Sequence, residues 1–183
     1  MKKLRNKGFT LIELLIVITL LGILAVAVLS AINPVEQMNR SRDTASRSDA
    51  EQLINACDRY YATVGRYVWR VDGKFPAPQV WQKVDDTWED TDGDSAITKL
   101  SAGGTAEVKE SFVNRVKNAD VSLYVYNKGS QGDSTYVCFV PRSSAFTTES
   151  GERCDATSKP SDYPDDACPT GCSGTKTCYS CLP

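Results

Sequence analysis

The chain has 183 residues, 41% hydrophobic and 24% charged, with a formal net charge of −2 and no histidine. Its length fits one modest domain plus an anchor, and the lack of histidine removes the commonest general base and the commonest zinc ligand. Lys2, Lys3, Arg5 and Lys7 precede the first acid, so the remainder holds 21 − 4 = 17 bases against 23 acids, or −6; this mildly acidic balance disfavours nucleic acid as the main partner.

Residues 9–32 form a dense apolar block, FTLIELLIVITLLGILAVAVLSAI. As a helix, 24 residues at about 1.5 Å each span about 36 Å, enough for a bilayer core of about 30 Å. The basic flank predicts a cytoplasmic N-terminus with the remainder outside. An ordinary secretory signal has a shorter apolar region followed by a small-residue cleavage site. Here the small residue, Gly8, comes first, so a cut there removes the charges and keeps the anchor. An uncleaved signal anchor on an unrelated domain is the other reading of the hydropathy. Glu13 is the one charged residue between Lys7 and Glu36. A carboxylate in hydrocarbon costs about 2.5–3.5 kcal/mol on insertion scales, so it calls for a partner or a function. A cut after Gly8 creates an amine on Phe9, and a cation from a neighbouring subunit would neutralise Glu13. A carboxyl that protonates, or sits at headgroup level, is the alternative.

The run Gly8-Phe9-Thr10-Leu11-Ile12-Glu13 resembles the type IV prepilin processing motif shared by pilins, type II secretion pseudopilins and competence pseudopilins. The resemblance implies cleavage between Gly8 and Phe9 by a membrane prepilin peptidase, and N-methylation of Phe9. It also implies that Glu13 pairs with the Phe9 amine of an adjacent subunit during assembly. Gly22 sits where many members carry glycine. Many pilins have proline where this chain has Ser30, whereas Asn33-Pro34 follow here; the kink is thus expected about one turn later.

Pro34 should interrupt the helix locally, with Asn33 as a new N-cap. Residues 36–64 lack Gly and Pro, and Leu53, Ile54, Cys57, Tyr60, Tyr61 and Val64 follow one helical face. Arg40, Arg42, Arg47, Asp49, Glu51, Asp58 and Arg59 are expected mostly on the other sides, and the arginines as a solvated face rather than contacts to acidic neighbours or anionic lipid. Gly65 is the expected stop. Residues 66–104 read as a loop-rich connection pinned by Trp69, Phe75, Trp81 and Trp88. A helix is predicted over 105–117, then strands over 121–126 and 135–140, joined by a glycine-containing turn and ended by Pro141.

Cysteines number seven, five of them after residue 150. The crowding favours an oxidising compartment. Little apolar material accompanies Cys154, Cys168, Cys172, Cys178 and Cys181, so disulfides are expected to supply order there. The rival is zinc on a four-thiolate set, Cys168, Cys172, Cys178 and Cys181. Cys57 and Cys138 could staple helix to sheet, or be two buried free thiols. An odd count leaves at least one thiol free or bridging another chain. Asp90, Asp92 and Asp94 could offer oxygen ligands to calcium, although the loop is not an EF-hand and a solvated acidic turn is the preferred reading.

No P-loop, dinucleotide fingerprint, HExxH or nucleophile elbow is present, and no ordinary triad forms without histidine; no enzyme and no obligatory cofactor are expected. The reading is an α+β chain: a basic leader (1–8), a membrane-spanning or filament-core helix (9–32), an amphipathic outer half (33–65), a head with antiparallel strands (66–149) and a cysteine-rich tail (150–183). By the resemblance, it is a filament subunit whose partners are its own copies, related pilins, the prepilin peptidase/methyltransferase and an assembly platform. It would pass from the cytoplasmic membrane of a prokaryote to a surface filament. A minor or tip pilin that binds a surface, DNA or secretion substrate is the alternative.

Overall fold

In a computed structural model of the chain, the structure describes residues 8–70, 80–90, 92–102, 104, 106–118, 120–130, 132–155, 159–169, 172 and 178–183. The chain falls into two compact units, Met1–Met38 and Asn39–Pro183.

The first unit is built on helix α1 (Leu11–Ala31), apolar on all sides. Its large side chains are exposed, from Leu11 to Leu29. The stretch Leu11–Ser30 is long and apolar enough to cross a membrane. Ser30 stays inside the helix, its hydroxyl donating to the Ala27 carbonyl at 2.8 Å. The interruption falls just beyond it: Ile32 is extended, at φ −100° and ψ 122°. Helix α2 (Pro34–Val64) then begins. The Asn33 side chain accepts the Glu36 N–H at 3.3 Å, and Pro34 takes the first helical position, where a missing N–H matters least. The displaced break predicted from Asn33-Pro34 is therefore present.

In the second unit, α2 presents a stripe of Ala50, Leu53, Ala56, Cys57 and Tyr60, all buried. The steps of 3, 3, 1 and 3 keep these on one face. Two positions depart from the sequence reading. Tyr61 is 38% exposed, and Asp49, expected on a solvated side, is buried. Asp49 is tolerated there because the Arg115 guanidinium donates to it, through Nε at 3.2 Å. Helix α2 stops at Gly65, whose φ of 77° is left-handed and favours glycine.

Four antiparallel strands cover the stripe in the order β1 (Val80–Lys83), β2 (Leu123–Asn127), β3 (Thr135–Phe139) and β4 (Ser180–Leu182). The predicted strands correspond to β2 and β3, and β3 stops short of Pro141. Short β1 and β4 were not anticipated; neither shows clear alternation. Side chains alternate across the sheet as the pleat requires. Leu123, Val125, Val137 and Phe139 join the main core with α2, Trp69 and Trp88. Tyr126, Tyr136, Cys138 and Cys181 face the other way, into a second small core with Tyr163 and Ala167, flanked by half-buried Trp81. The tail thus supplies apolar material of its own, more than its sequence suggested. Phe75 lies outside the described residues.

Helix α3 (Ala96–Lys99) and helix α4 (Glu110–Val116) close the main core through Ala96, Ile97, Phe112, Val113 and Val116. The predicted helix over 105–117 is shorter than expected: residues 106–109 are not helical, and Thr105 lies outside the described residues. Helix α5 (Ser144–Asp155) was not anticipated and crosses residue 150. Its start is fixed from α2. The buried Asp43 carboxylate accepts the N–H groups of Arg142 and Ser143 at 2.9 and 2.7 Å and the Ser143 hydroxyl at 2.6 Å. Ser143 is itself fully buried, and its carbonyl accepts the Thr147 N–H at 3.0 Å.

Replacing Asp43 by alanine orphans the buried N–H and hydroxyl of Ser143 and the part-buried N–H of Arg142. We expect Asp43→Ala to destabilise the chain by about 2–4 kcal/mol, with faster amide exchange along α5. Urea denaturation of the detergent-solubilised chain, with exchange mass spectrometry, measures both; an unchanged midpoint would show that water replaces the carboxylate.

Candidate functional site

The processing and assembly residues singled out from sequence lie at the start of α1. Gly8 is exposed and Phe9 is 86% exposed. Thr10 is extended, at φ −82° and ψ 152°, and caps the helix. Its side chain accepts the Glu13 N–H at 3.3 Å, while Glu13 Oε2 accepts the Thr10 N–H at 2.8 Å and the Thr10 hydroxyl at 2.7 Å. This is a reciprocal capping box, satisfying two otherwise orphaned donors at the helix start. The carboxylate sits near the positive end of the helix dipole. Thr10 is a partner of Glu13 that was not anticipated from the sequence. The signal was present, since Thr-x-x-Glu before an apolar run is the sequence form of a capping box.

The acidic loop is folded around a lysine. Asp90 is buried, and its Oδ1 accepts the N–H groups of Asp92 and Asp94 at 3.0 and 2.9 Å. The Lys99 ammonium pairs with Asp90 Oδ2 and, at 3.1 Å, with Asp94. Asp92 is exposed. Both oxygens of Asp90 are thus engaged, and a protein cation stands between the carboxylates proposed for calcium. A calcium ion would have to displace it. Burial pushes the Asp90 carboxyl up, but hydrogen bonds from Lys99 and from the Asp94 and Asp92 backbone outweigh it and hold the pKa below its ordinary value. Burial likewise pushes Lys99 down, yet Asp90 and Asp94 hold it above its ordinary value.

Residues 3–29 match the family model described as the prokaryotic N-terminal methylation motif. The chain is type IV pilin-like. No curated protein and no solved structure matches it. The match ends within α1, so everything said of the head rests on the structure itself.

The head of this pilin-like chain carries three disulfides: Cys138–Cys181, Cys154–Cys168 and Cys172–Cys178. The predicted crowding of bridges in the C-terminal region is present. Two sequence expectations are corrected. Cys57 and Cys138 neither staple helix to sheet nor remain as two free thiols. Cys57 alone is free, buried in the main core. Cys138 points to the opposite face of the sheet, where its register partner on β4 is Cys181. The zinc set of Cys168, Cys172, Cys178 and Cys181 is not gathered either, since those four sulfurs are distributed over all three bridges. With separations of 43, 14 and 6 residues, loop-closure entropy gives about 4, 3 and 2 kcal/mol respectively. Burial pushes the Cys57 thiol pKa well up, so its reactive thiolate is suppressed.

Among the arginines, Arg47 bonds Glu149 on α5 at 3.1 Å, and Arg59 holds Glu107 at 2.7 Å. Arg42 lines a cavity of about 420 Å³ with Arg115 and Arg142, but Asp49 and Asp120 line it too. The charges there nearly balance.

The Asp90–Lys99 pair yields a pH prediction. A carboxyl whose pKa is depressed on folding stabilises the fold above its unfolded value and loses that contribution as pH falls through the folded value. The ordinary aspartate value of about 4 marks where the loss begins. Lys99→Met should lower stability at neutral pH by about 1–2 kcal/mol and flatten the decline below pH 4. Denaturation midpoints of both chains across that range decide it; parallel declines would remove the pair as their cause.

Proposed function

We propose that the chain is a structural subunit of an extracellular type IV filament, cut after Gly8, methylated on Phe9 and assembled through α1. The match over residues 3–29 carries this reading. Three further observations support it. The site of the cut is exposed and precedes an apolar helix that the cut would leave intact. That helix turns large hydrophobic side chains outward on every side, which suits a bilayer first and neighbouring helices afterwards. The disulfides suit a head exposed to an oxidising exterior.

Glu13 gives assembly its chemistry. In the single subunit one oxygen of its carboxylate accepts two hydrogen bonds from Thr10, which lowers the cost of holding the charge at the start of α1 but leaves it without a counter-ion. A methylated ammonium on Phe9 of an incoming copy adds an opposite full charge, making an ion pair where Thr10 supplies only neutral donors. The exchange favours the assembled state, and pairing one atom with one atom sets register along the filament. Apolar packing of α1 against its neighbours supplies most of the cohesion. Partners on this reading are further copies, related pilins, the prepilin peptidase and the assembly platform.

Intact mass of protein sheared from the cell surface tests the processing. A chain starting at methylated Phe9, gaining about two mass units for each disulfide on reduction, is expected. A chain retaining Met1 to Gly8 and absent from the sheared fraction would leave an uncleaved signal anchor. Gly8→Ala should accumulate unprocessed chain on immunoblots. Glu13→Leu should still insert and be cut, yet leave filaments reduced at least tenfold by electron microscopy; wild-type filament numbers in that variant would end the pairing role.

A further inference from the structure

The two disulfides of the outer tail touch. The sulfurs of Cys154, Cys172 and Cys178 all lie within 4.8 Å of one another, and Cys168 is bonded to Cys154. Cys172 and Cys178 are buried and the other two half-buried. We propose that, once a low-molecular-weight thiol has reduced these two bridges (four small thiols supplying two electrons to each bridge and leaving as two small-molecule disulfides), Cys154, Cys168, Cys172 and Cys178 hold one Zn²⁺ as a four-thiolate site.

Tetrahedral Zn–S bonds of about 2.3 Å place ligand sulfurs about 3.8 Å apart. Three of the four sulfurs are already within 4.8 Å of one another, and the fourth, on Cys168, starts one S–S bond from Cys154; on reduction the bonded sulfurs must move apart and the others inward. Backbone contacts besides the bridges also hold parts of this frame. Cys154 lies in the last turn of the 12-residue helix α5, and Cys168 follows a 3-10 turn at Asp165–Ala167. The Ala167 carbonyl accepts the Tyr179 N–H at 2.9 Å, which ties the strand entering β4 to that turn. The Cys172 N–H reaches the Pro169 carbonyl at 2.9 Å. A zinc tetrathiolate carries two negative charges, and Arg153 stands beside Cys154, its guanidinium held on the Cys181 carbonyl at 2.9 Å.

This ligand set differs from the one that spacing suggests. Cys181 is drawn to Cys138 across the β3–β4 ladder, so Cys154, distant in sequence, takes its place. Cys57 stays apart in the main core. Reoxidation balances without further reagents beyond a small-molecule disulfide. One zinc tetrathiolate and two such disulfides give two protein disulfides, free Zn²⁺ and four small thiolates, with two electrons passing to each oxidant. The tail therefore has two closed states, one sealed by metal and one by sulfur–sulfur bonds.

The test uses the full chain in detergent, reduced with a phosphine and titrated without oxygen, first with Co²⁺ and then with Zn²⁺. One equivalent of Co²⁺ is expected to give the visible bands of a tetrahedral site with sulfur charge transfer, and Zn²⁺ should displace it. Oxidation with glutathione disulfide should return one Zn²⁺ to a chromogenic chelator. Cys154→Ser should weaken binding more than about 100-fold, beyond the usual effect of losing an outer-shell partner. Cys181→Ser also breaks a disulfide, yet should leave affinity within about threefold, as expected of a residue outside both coordination shells. No metal uptake by the reduced chain would overturn the proposal, as would loss of binding in Cys181→Ser with retention in Cys154→Ser.

Discussion

Helix α2 cannot be left bare, and most of the head follows from that. Its stripe of Ala50, Leu53, Ala56, Cys57 and Tyr60 is too small to form a core alone and too apolar to face water. A sheet laid across it covers the stripe with one face only, because side chains alternate along each strand. Leu123, Val125, Val137 and Phe139 go down onto α2, so Tyr126, Tyr136 and Cys138 must go up. The upper face then needs its own cover. The chain after β3 provides it, through Tyr163, the turn at Asp165–Ala167 and β4, while α5 packs Phe146 against the main core. Two cores of unequal size are the outcome of one alternation.

Buried carboxylates fix where the covering elements start. Asp43 sits on the stripe side of α2 and holds the first residues before α5 by their N–H groups, 99 and 100 positions away in the chain. Asp49, two turns on, holds Arg115 of α4. Apolar contact is non-directional and would let these short helices slide. A carboxylate whose hydrogen bonds are directed and whose desolvation must be offset does not permit sliding. The polar contacts therefore set register in the head, whatever their net contribution to stability. Glu13 obeys the same chemistry at the other end of the chain. There the donors are local, from Thr10, and a local partner leaves the carboxylate free to trade it for another.

Much of this was legible in the sequence, and the failures have physical causes. The apolar block, the break at Asn33-Pro34 and the stop at Gly65 could be read because each rests on covalent geometry or on the immediate neighbours. Strands β2 and β3 could be read because each is rich in β-branched and aromatic residues. Strands β1 and β4 could not: four and three residues carry too little pattern, and tertiary pairing alone makes them strands. Helix α5 was hidden by threonines and serines of weak helical propensity, and its start depends on Asp43, a residue of another element. The same holds for the buried state of Asp49. Charge predicts exposure only while no partner arrives, and Arg115 lies 66 residues away.

The disulfide map shows where local reading ends and where it might have gone further. Pairing among seven cysteines does not follow from spacing. One exclusion was nevertheless available. If Val137 and Phe139 face the helix, Cys138 between them faces away, and a bridge to the helix residue Cys57 is geometrically closed. Strand period closes the Cys57–Cys138 pairing and leaves the tail to supply the partner for Cys138. That partner, Cys181, lies opposite it on β4, so the longest loop in the head is closed by a bond between neighbouring strands. The sheet brings the two sulfurs together, and the bond then holds the chain's last strand to its edge.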